Sequence, residues 1–527
     1  MNSILPLVPG AFRRKDALFY TAIAVLGFAL VLVSTSTYGA GVSTDSISYL
    51  SAAEHWSRGA GVTDHRGGPL LLWPPLYPLV LGSLEYVSGL PLEQLGRYLN
   101  AFIFAGLILL AGFLLERSLP EQAAWRLWAN LALLTSPSIL ALCANIGSDG
   151  LFILLILLFF AAAQRWQRTQ SPRWLVFLAG IAAAASLTRW TGATLVMTGS
   201  LWVIYIRRNN LRRALLQGLG FSTLASMPLA AWVFGRNYWR YGSLVGHRNL
   251  AEIRPTDNLI YTLEKAAVWF LPNTVIERLW LPVLALLLVA TLIVFLHKEL
   301  RKRLYRLLLT PTMALYWSFL LMYLGFILVT TFSGDHIDVY DDRYQAPMYV
   351  PLLLIFLACL REILLAGSAR WRGWIYAGVT LLMFVWLLYP AFKVYKFVVM
   401  SLDQGVVYYN MFNNSRYRES DFVHRLEEFP FKPEMTLYSN LPSAVYYFTG
   451  RITQSSVSDP QNYNASTQWL LANIASWPKE ERAYFVWLFR NDRRRYFSPD
   501  QIKKVSHLVL RYQDGTGEIY EIAPKKR

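Results

Sequence analysis

SDGLFILLILLFFAAAQRW (residues 148–166) decides the class of this protein. From Gly150 to Ala163 no side chain carries a charge, and the run sits between Asp149 at one end and Arg165 at the other. About 20 apolar residues wound as a helix cross the roughly 30 Å of bilayer hydrocarbon, so such a run reads as a membrane span. Runs of the same kind recur over most of the 527 residues. Hydrophobic residues make up 55% of the chain and charged ones 16%, against about 25% charged in a soluble domain, which excludes a soluble globule and a disordered chain.

A window of about 19 residues predicts eleven spans, near 17–37, 95–115, 124–143, 150–166, 173–187, 191–206, 214–235, 279–297, 309–332, 345–361 and 373–391. The segment 70–90 is apolar but carries Pro74, Pro75 and Pro78, and reads as an interfacial or re-entrant piece. The fold class expected is therefore an α-helical polytopic membrane protein. Residues 393–527 lose the apolar runs and mix 19 Lys and Arg with 14 Asp and Glu. That composition predicts a small α/β domain, with strands at Met435–Ser439, Ala483–Phe489, His507–Tyr512 and Glu518–Ile522. Helices are expected at Pro442–Thr449 and Pro499–Val505, and a hairpin turn at Asp514-Gly515. Division into a transmembrane part, 1–392, and this tail follows.

The formal charge of +17 raises nucleic acid as a partner. Its distribution argues otherwise. With the N-terminus cytoplasmic, twenty Lys and Arg fall on six inner segments, Arg207, Arg208, Arg212 and Arg213 among them, while the short outer loops hold only Arg189 and Arg343. This is the positive-inside pattern of a membrane protein, with no basic face for nucleic acid, and an odd number of spans puts the tail outside. The first apolar run is long enough to be an uncleaved anchor. Cys143 and Cys359 lie far apart in or beside apolar runs, indicating neither a disulfide framework nor a cysteine metal site.

Ionisable groups at span ends on one side are where chemistry is to be sought. Asp45, in Thr44-Asp45-Ser46-Ile47-Ser48-Tyr49, opens an amphipathic surface helix running through Leu50, Ala53 and Trp56, with Thr44 as its cap. Its bland role is to suit the helix dipole; its chemical role is a general base taking a proton from an attacking hydroxyl. Ser148-Asp149 again reads as a cap or as a carboxylate orienting a sugar hydroxyl or the acceptor. Arg189 and Trp190 lie in a hairpin too short to carry a solvated charge by chance, so Arg189 either snorkels or faces a phosphate. In Asp335-His336-Ile337-Asp338-Val339-Tyr340-Asp341-Asp342-Arg343-Tyr344 the acids match no calcium or zinc spacing, so no metal is assigned, while Arg343 suits a bidentate phosphate contact. Tyr408, Tyr409, Asn413, Asn414, Tyr463 and Asn464 in the tail read as solvated loop or as an acceptor surface. Walker, Gly-x-Gly-x-x-Gly, His-Glu-x-x-His and Gly-x-Ser-x-Gly motifs are absent, so no cofactor is assigned and the donor must carry its own activation.

Asp45 soon after the first span, Trp73-Pro74-Pro75-Leu76-Tyr77-Pro78 in a long first outer loop, Ser148-Asp149, the Leu187–Gly192 hairpin and Asp342-Arg343-Tyr344 form an ordered set. The set resembles the GT-C superfamily of integral-membrane glycosyltransferases, in the group of protein O-mannosyltransferases and the aminoarabinose transferases acting on lipid A. The mannosyltransferases usually carry Asp-Glu at the first position, where this chain has Asp45-Ser46. The resemblance implies transfer of a sugar from a polyprenyl-phosphate carrier to a lipid, glycan or protein hydroxyl at the outer face of the plasma (inner) membrane. Asp45 would then be the base and Arg189 and Arg343 the holders of the lipid phosphate, with Asp149, Tyr49, Tyr344, His336 and Trp73 as further substrate contacts. One acid at the first position, in place of an acid pair at nucleophile distance, predicts inversion at the anomeric carbon. A transporter or flippase of lipid-linked sugars would want polar groups near the bilayer midplane in matching halves, which the spans lack. A polymerase of lipid-linked sugars remains a chemical neighbour.

Overall fold

A computed structural model describes residues 14–246, 255–272, 289, 292–293, 296–332, 342–367, 369–406, 411–458, 467–489 and 496–525. In chain order its helices are α1 (Arg14–Ser34), α2 (Thr44–Ser57), α3 (Leu76–Ser88), α4 (Leu92–Ser118), α5 (Ala123–Leu134), α6 (Pro137–Cys143), α7 (Asp149–Thr169), α8 (Pro172–Thr188), α9 (Ala193–Ile206) and α10 (Leu211–Ala230). There follow α11 (Pro255–Phe270), α12 (Lys298–Leu308), α13 (Pro311–Phe332), α14 (Tyr349–Ala366), α15 (Ala369–Trp386) and α16 (Leu388–Gln404). The tail adds α17 (Asp421–Glu428), α18 (Pro442–Thr449), α19 (Thr467–Asn473) and α20 (Pro499–Ile502), with strands β1 (Thr436–Ser439), β2 (Thr453–Ser455), β3 (Ala483–Leu488), β4 (Ser506–Gln513) and β5 (Gly517–Pro524).

Among the described residues seven helices are long and apolar enough to cross a membrane, and an eighth span results if the bent pair α5 and α6 is one crossing. The eleven expected spans are reduced for identifiable reasons. Two of them, α8 and α9, are apolar but short, and the 17 residues of α8 reach only about 25 Å at 1.5 Å per residue. The expected span at 279–297 lies largely outside the described residues. The third expected span is bent by 52° where Pro137 pushes Ser136 out of the helical region, to φ −76° and ψ 109°. A second irregularity follows Pro228 in α10, whose missing amide precedes a π-helical stretch over Ala231–Tyr238.

The chain forms two compact units. The first comprises 1–34, 71–77 and 97–399. Its centre is α7, whose Phe160 meets Tyr316 and Phe319 of α13 at ring distances of 4.9 and 5.6 Å, and whose Trp166 meets Trp202 of α9 at 5.5 Å. Each of these rings is almost fully buried, and aromatic burial of this kind fixes which face of a span looks inward. Gln164, also buried, donates to the Tyr316 hydroxyl at 2.8 Å, so this polar side chain within the aromatic packing is satisfied by the same neighbour.

The second unit comprises 35–70, 78–96 and 400–527, so pieces of the first outer loop fold with the tail. Its sheet has the order β2-β1-β3-β5-β4, with β1 parallel to both neighbours and β5 antiparallel to β3 and β4. The predicted hairpin turn at Asp514-Gly515 joins β4 to β5, and the Asp514 side chain accepts from the amides of Thr516 and Gly517. Phe485, Phe497, Ile502, Tyr520 and Ile522 are buried in its core. β2, which the sequence reading did not predict, is three polar residues long, too short for alternation to register. Asn413, expected on a solvated loop or an acceptor surface, is instead 1% exposed: its amide nitrogen donates to the carbonyls of Tyr38 and Ala40 (2.8 and 2.7 Å), and its oxygen accepts from Val42 (2.9 Å). Asn414 caps the short helix Ser415–Arg418.

Candidate functional site

Four of the residues singled out from the sequence meet in the first unit. Asp149 is the first residue of α7, where a carboxylate faces the positive end of the helix dipole. The Asn145-Ile146-Gly147 turn before it is held from α4: buried Asn100 donates to the Asn145 carbonyl at 2.5 Å and accepts from the Tyr77 hydroxyl at 3.3 Å. Ser148 sits at the N-cap position with helical backbone angles, and its side chain makes no cap bond, contrary to a simple capping role for the pair. The Asp149 carboxylate pairs with a guanidinium nitrogen of Arg189.

Arg189 is placed by a break between α8 and α9. It takes an extended conformation, φ −148° and ψ 148°, before a 3-10 turn over Trp190–Gly192. The Gly192 amide closes that turn on the Arg189 carbonyl at 2.8 Å. A Cβ at Gly192 would run into the backbone of Ala185 and Ser186, so only glycine lets the turn fold back this closely on α8. The Trp190 indole donates to the Leu72 carbonyl at 2.8 Å, which brings the segment containing half-buried Trp73 to the same junction.

Arg343 and Tyr344 lie on a 3-10 turn, Asp342–Tyr344, that leads through a second turn into α14. Arg343 donates to the Tyr344 hydroxyl at 3.0 Å, and its guanidinium carbon stands 5.0 Å from the ring centroid of Tyr344. The guanidinium of Arg189 stands 5.9 Å from the same centroid. One aromatic ring thus gathers both arginines, each at cation–π range, beside a carboxylate that holds one of them. Among the described side chains two cations and one anion leave a positive excess, suited to an anion that an arginine fork grips in two places.

Tyr323 of α13, which the sequence reading passed over, is fully buried within electrostatic reach of Arg189, Asp149 and Tyr344. Its one mark in the sequence is that it is a phenol, like Tyr316, within a long apolar run. Buried Gln345, next to Tyr344, donates to the Thr262 hydroxyl at 3.4 Å and so ties the turn to α11.

Asp45 and Tyr49 belong to α2 in the second unit. The helix starts one residue earlier than expected: Ser43, not Thr44, is the N-cap, and Ser43 and Ser46 form a reciprocal capping box. Asp45 lies in the first turn, half-buried, while every residue from Ser46 to Ala53 is buried, so α2 is a packed helix and not an amphipathic surface one. Tyr49 is 3% exposed. His336 and the acids at 335, 338 and 341 lie outside the described residues. Among the described residues no group of three or more His, Cys, Asp or Glu is placed to hold a metal ion. Cys143 and Cys359 are both free.

No family model matches the chain, and no curated protein matches it. Among solved structures, ArnT from Cupriavidus metallidurans bound to undecaprenyl phosphate is similar over 97% of this chain and 98% of its own, with a TM-score of 0.58 at 14% identity. Its apo state gives 0.57 over the same shares. The Archaeoglobus fulgidus oligosaccharyltransferase in complex with zinc and sulfate is similar over 94% of this chain and 72% of its own, with a TM-score of 0.53 at 12% identity. The chain therefore shares its fold with these solved structures, in line with the fold expected from the ordered motifs.

Proposed function

We propose that this chain is a glycosyltransferase that takes a sugar from a polyprenyl-phosphate carrier and delivers it to an acceptor hydroxyl on the outer side of the plasma (inner) membrane. The N-terminus is cytoplasmic and the tail extracytoplasmic in this reading, which the gathering of Lys and Arg on the segments taken as inner supports. The single observation that carries it is the pair of arginines gathered on Tyr344, in a chain whose fold matches a transferase solved with undecaprenyl phosphate.

Arg189 and Arg343 grip the lipid phosphate and stabilise the charge that grows on it as the bond to the anomeric carbon breaks. Asp45 accepts the proton of the acceptor hydroxyl as its oxygen attacks that carbon. The products are the glycosylated acceptor and the free polyprenyl phosphate. Direct displacement by one nucleophile inverts the anomeric centre. Asp149 orients Arg189 by pairing with it, a use of that carboxylate different from direct contact with a sugar hydroxyl.

Purified protein, a polyprenyl-phosphate sugar and a panel of lipid, glycan and protein acceptors test the reading. Turnover by the wild type and its loss in Asp45→Asn are expected; unchanged turnover in that variant removes Asp45 from the mechanism. Retention of configuration, read by NMR of the product, would refute the single displacement.

A further inference from the structure

α12 is an 11-residue helix in which Lys298, Glu299, Arg301, Lys302, Arg303 and Arg306 are charged and exposed. At 1.5 Å per residue it reaches about 17 Å, too short and too polar to enter hydrocarbon. Leu300 is buried and Leu304, Leu307 and Leu308 are half-buried. A helix of this pattern lies along a membrane surface, leucines inward and cations outward.

Bonds to three spans fix where it lies. The Trp317 indole of α13 donates to the Leu308 carbonyl at 2.9 Å, and the Tyr205 hydroxyl, from the last turn of α9, donates to the Leu309 carbonyl at 2.6 Å. Arg303 stands 3.9 Å from Glu362, near the end of α14. The guanidinium of Arg208 lies 4.3 Å from the ring centroid of Tyr205, so the cations of α12 continue into Arg207, Arg208, Arg212 and Arg213 of the α9–α10 connection. All of these residues belong to the first unit.

The charges do not cancel. α12 and residues 207–213 together hold nine Lys and Arg and one acid, Glu299, which Lys302 meets at 3.3 Å. Glu362 is shared between Arg303 and Arg361, at 3.9 and 3.4 Å, and His297 caps α12, its Nδ1 accepting from the Leu300 amide at 3.2 Å. With Arg361 included, ten cations meet two carboxylates. Leu211, Leu215 and Leu219 run down α10 from the same connection, four residues apart and exposed, as one apolar stripe. A cationic shelf at the head of an apolar stripe is complementary to an amphiphile with an anionic head. A soluble polyanion would leave the stripe bare, and a zwitterionic lipid would leave the charge unmatched.

We infer that the shelf formed by α12 and the α9–α10 connection is a binding site for an anionic phospholipid. Arg208 and Arg306, which flank the bond between Tyr205 and Leu309, hold its phosphate, and the leucine stripe of α10 takes an acyl chain. The site is additional to the arginines on Tyr344. It rests on the membrane class alone and not on the glycosyl-transfer reading.

Native mass spectrometry of the full chain in detergent, titrated with phosphatidylglycerol and with phosphatidylcholine of the same acyl chains, separates head charge from tail. Each cation brought to an anionic headgroup is worth about fivefold, so phosphatidylglycerol should bind at least about tenfold tighter. Arg208→Gln combined with Arg306→Gln should lower its affinity at least about tenfold and leave that of phosphatidylcholine within about twofold. Arg173→Gln combined with Arg370→Gln removes the same charge at the starts of α8 and α15, and should shift neither lipid by more than about twofold. Should the first pair unfold, Arg212→Gln with Arg213→Gln reads the same site from the neighbouring turn. Equal affinity for the two lipids, a preference that survives in a folded shelf variant, or an equal loss in the Arg173 and Arg370 pair overturns the proposal.

Discussion

Asp149 and Arg189 form a carboxylate–guanidinium pair whose side chains are 12% and 15% exposed. Removing one partner of so enclosed a pair leaves the other charge without its counterion, whereas removing both charges together leaves two neutral amides able to bond each other. Asp149→Asn should therefore destabilise the first unit by about 3 kcal/mol, and Asp149→Asn combined with Arg189→Gln by distinctly less. Thermal melts in detergent for the full double-mutant cycle measure this. A coupling below about 0.5 kcal/mol would mean that the two side chains act independently.

Asn413 makes its three hydrogen bonds entirely to backbone that precedes α2, bracketing Tyr38, Ala40 and Val42. An isosteric leucine keeps the volume but strands two carbonyls and an amide that are otherwise satisfied. Asn413→Leu should cost about 3 kcal/mol, near 1 kcal/mol per orphaned group. Limited proteolysis should then cut the second unit faster than the first; unchanged proteolysis of both would contradict the bracket.

His65 sits 2% exposed, its Nδ1 3.4 Å from the Ser48 hydroxyl and its ring centroid 5.9 Å from that of Tyr446. Burial, with Arg66 adding to it, pushes its pKa down to about 4, against about 6.5 for an unfolded histidine. Between those values the unfolded chain binds a proton that the folded one refuses, so stability rises with pH there. The contribution is complete above about pH 6.5, is lost as the pH falls toward 4, and amounts to no more than about 3 kcal/mol. Melting temperature should therefore drop more steeply from pH 6.5 to 4.5 in the wild type than in His65→Gln. Superimposable profiles would show that His65 is not titrating with unfolding.

The membrane class, the α18 helix and the β4–β5 hairpin were legible because each rests on local pattern: charge-free runs, Pro442 opening a helix that ends before Gly450, and Asp514-Gly515 between two alternating segments. Asp149, Arg189 and Arg343 were legible singly, as charges at span ends. Their gathering on Tyr344 was not, because it depends on where three separate junctions land: the start of α7, the break after α8 and the turn before α14. The union of the first outer loop with the tail was equally invisible. It rests on contacts such as those of Asn413, which join residues hundreds of positions apart and leave no mark on either segment's composition. The number of spans is not settled by hydropathy, since α8 and α9 are as apolar as a span but shorter than the seven long helices, and the stretch 279–297 lies largely outside the described residues.

Arg343 gives the sharpest test of the phosphate cluster, because its roles in structure and in binding separate. As a structural residue it donates to Tyr344 and lies against that ring, interactions a lysine could partly keep through a single ammonium contact with the phenol. As a phosphate ligand it offers a planar fork that a lysine cannot reproduce. Arg343→Ala should weaken binding of a polyprenyl-phosphate sugar by more than about 1.5 kcal/mol, over tenfold in Kd. Arg343→Lys should restore the melting temperature more fully than the affinity, because a point charge recovers attraction to the phosphate but not the two-pronged grip. Raising salt should narrow the gap between wild type and Arg343→Ala only slightly, since a partly buried contact is poorly screened. Donor affinity unchanged in Arg343→Ala, measured by titration of the purified protein, would reduce this arginine to a support for Tyr344 and leave Arg189 alone to meet the phosphate.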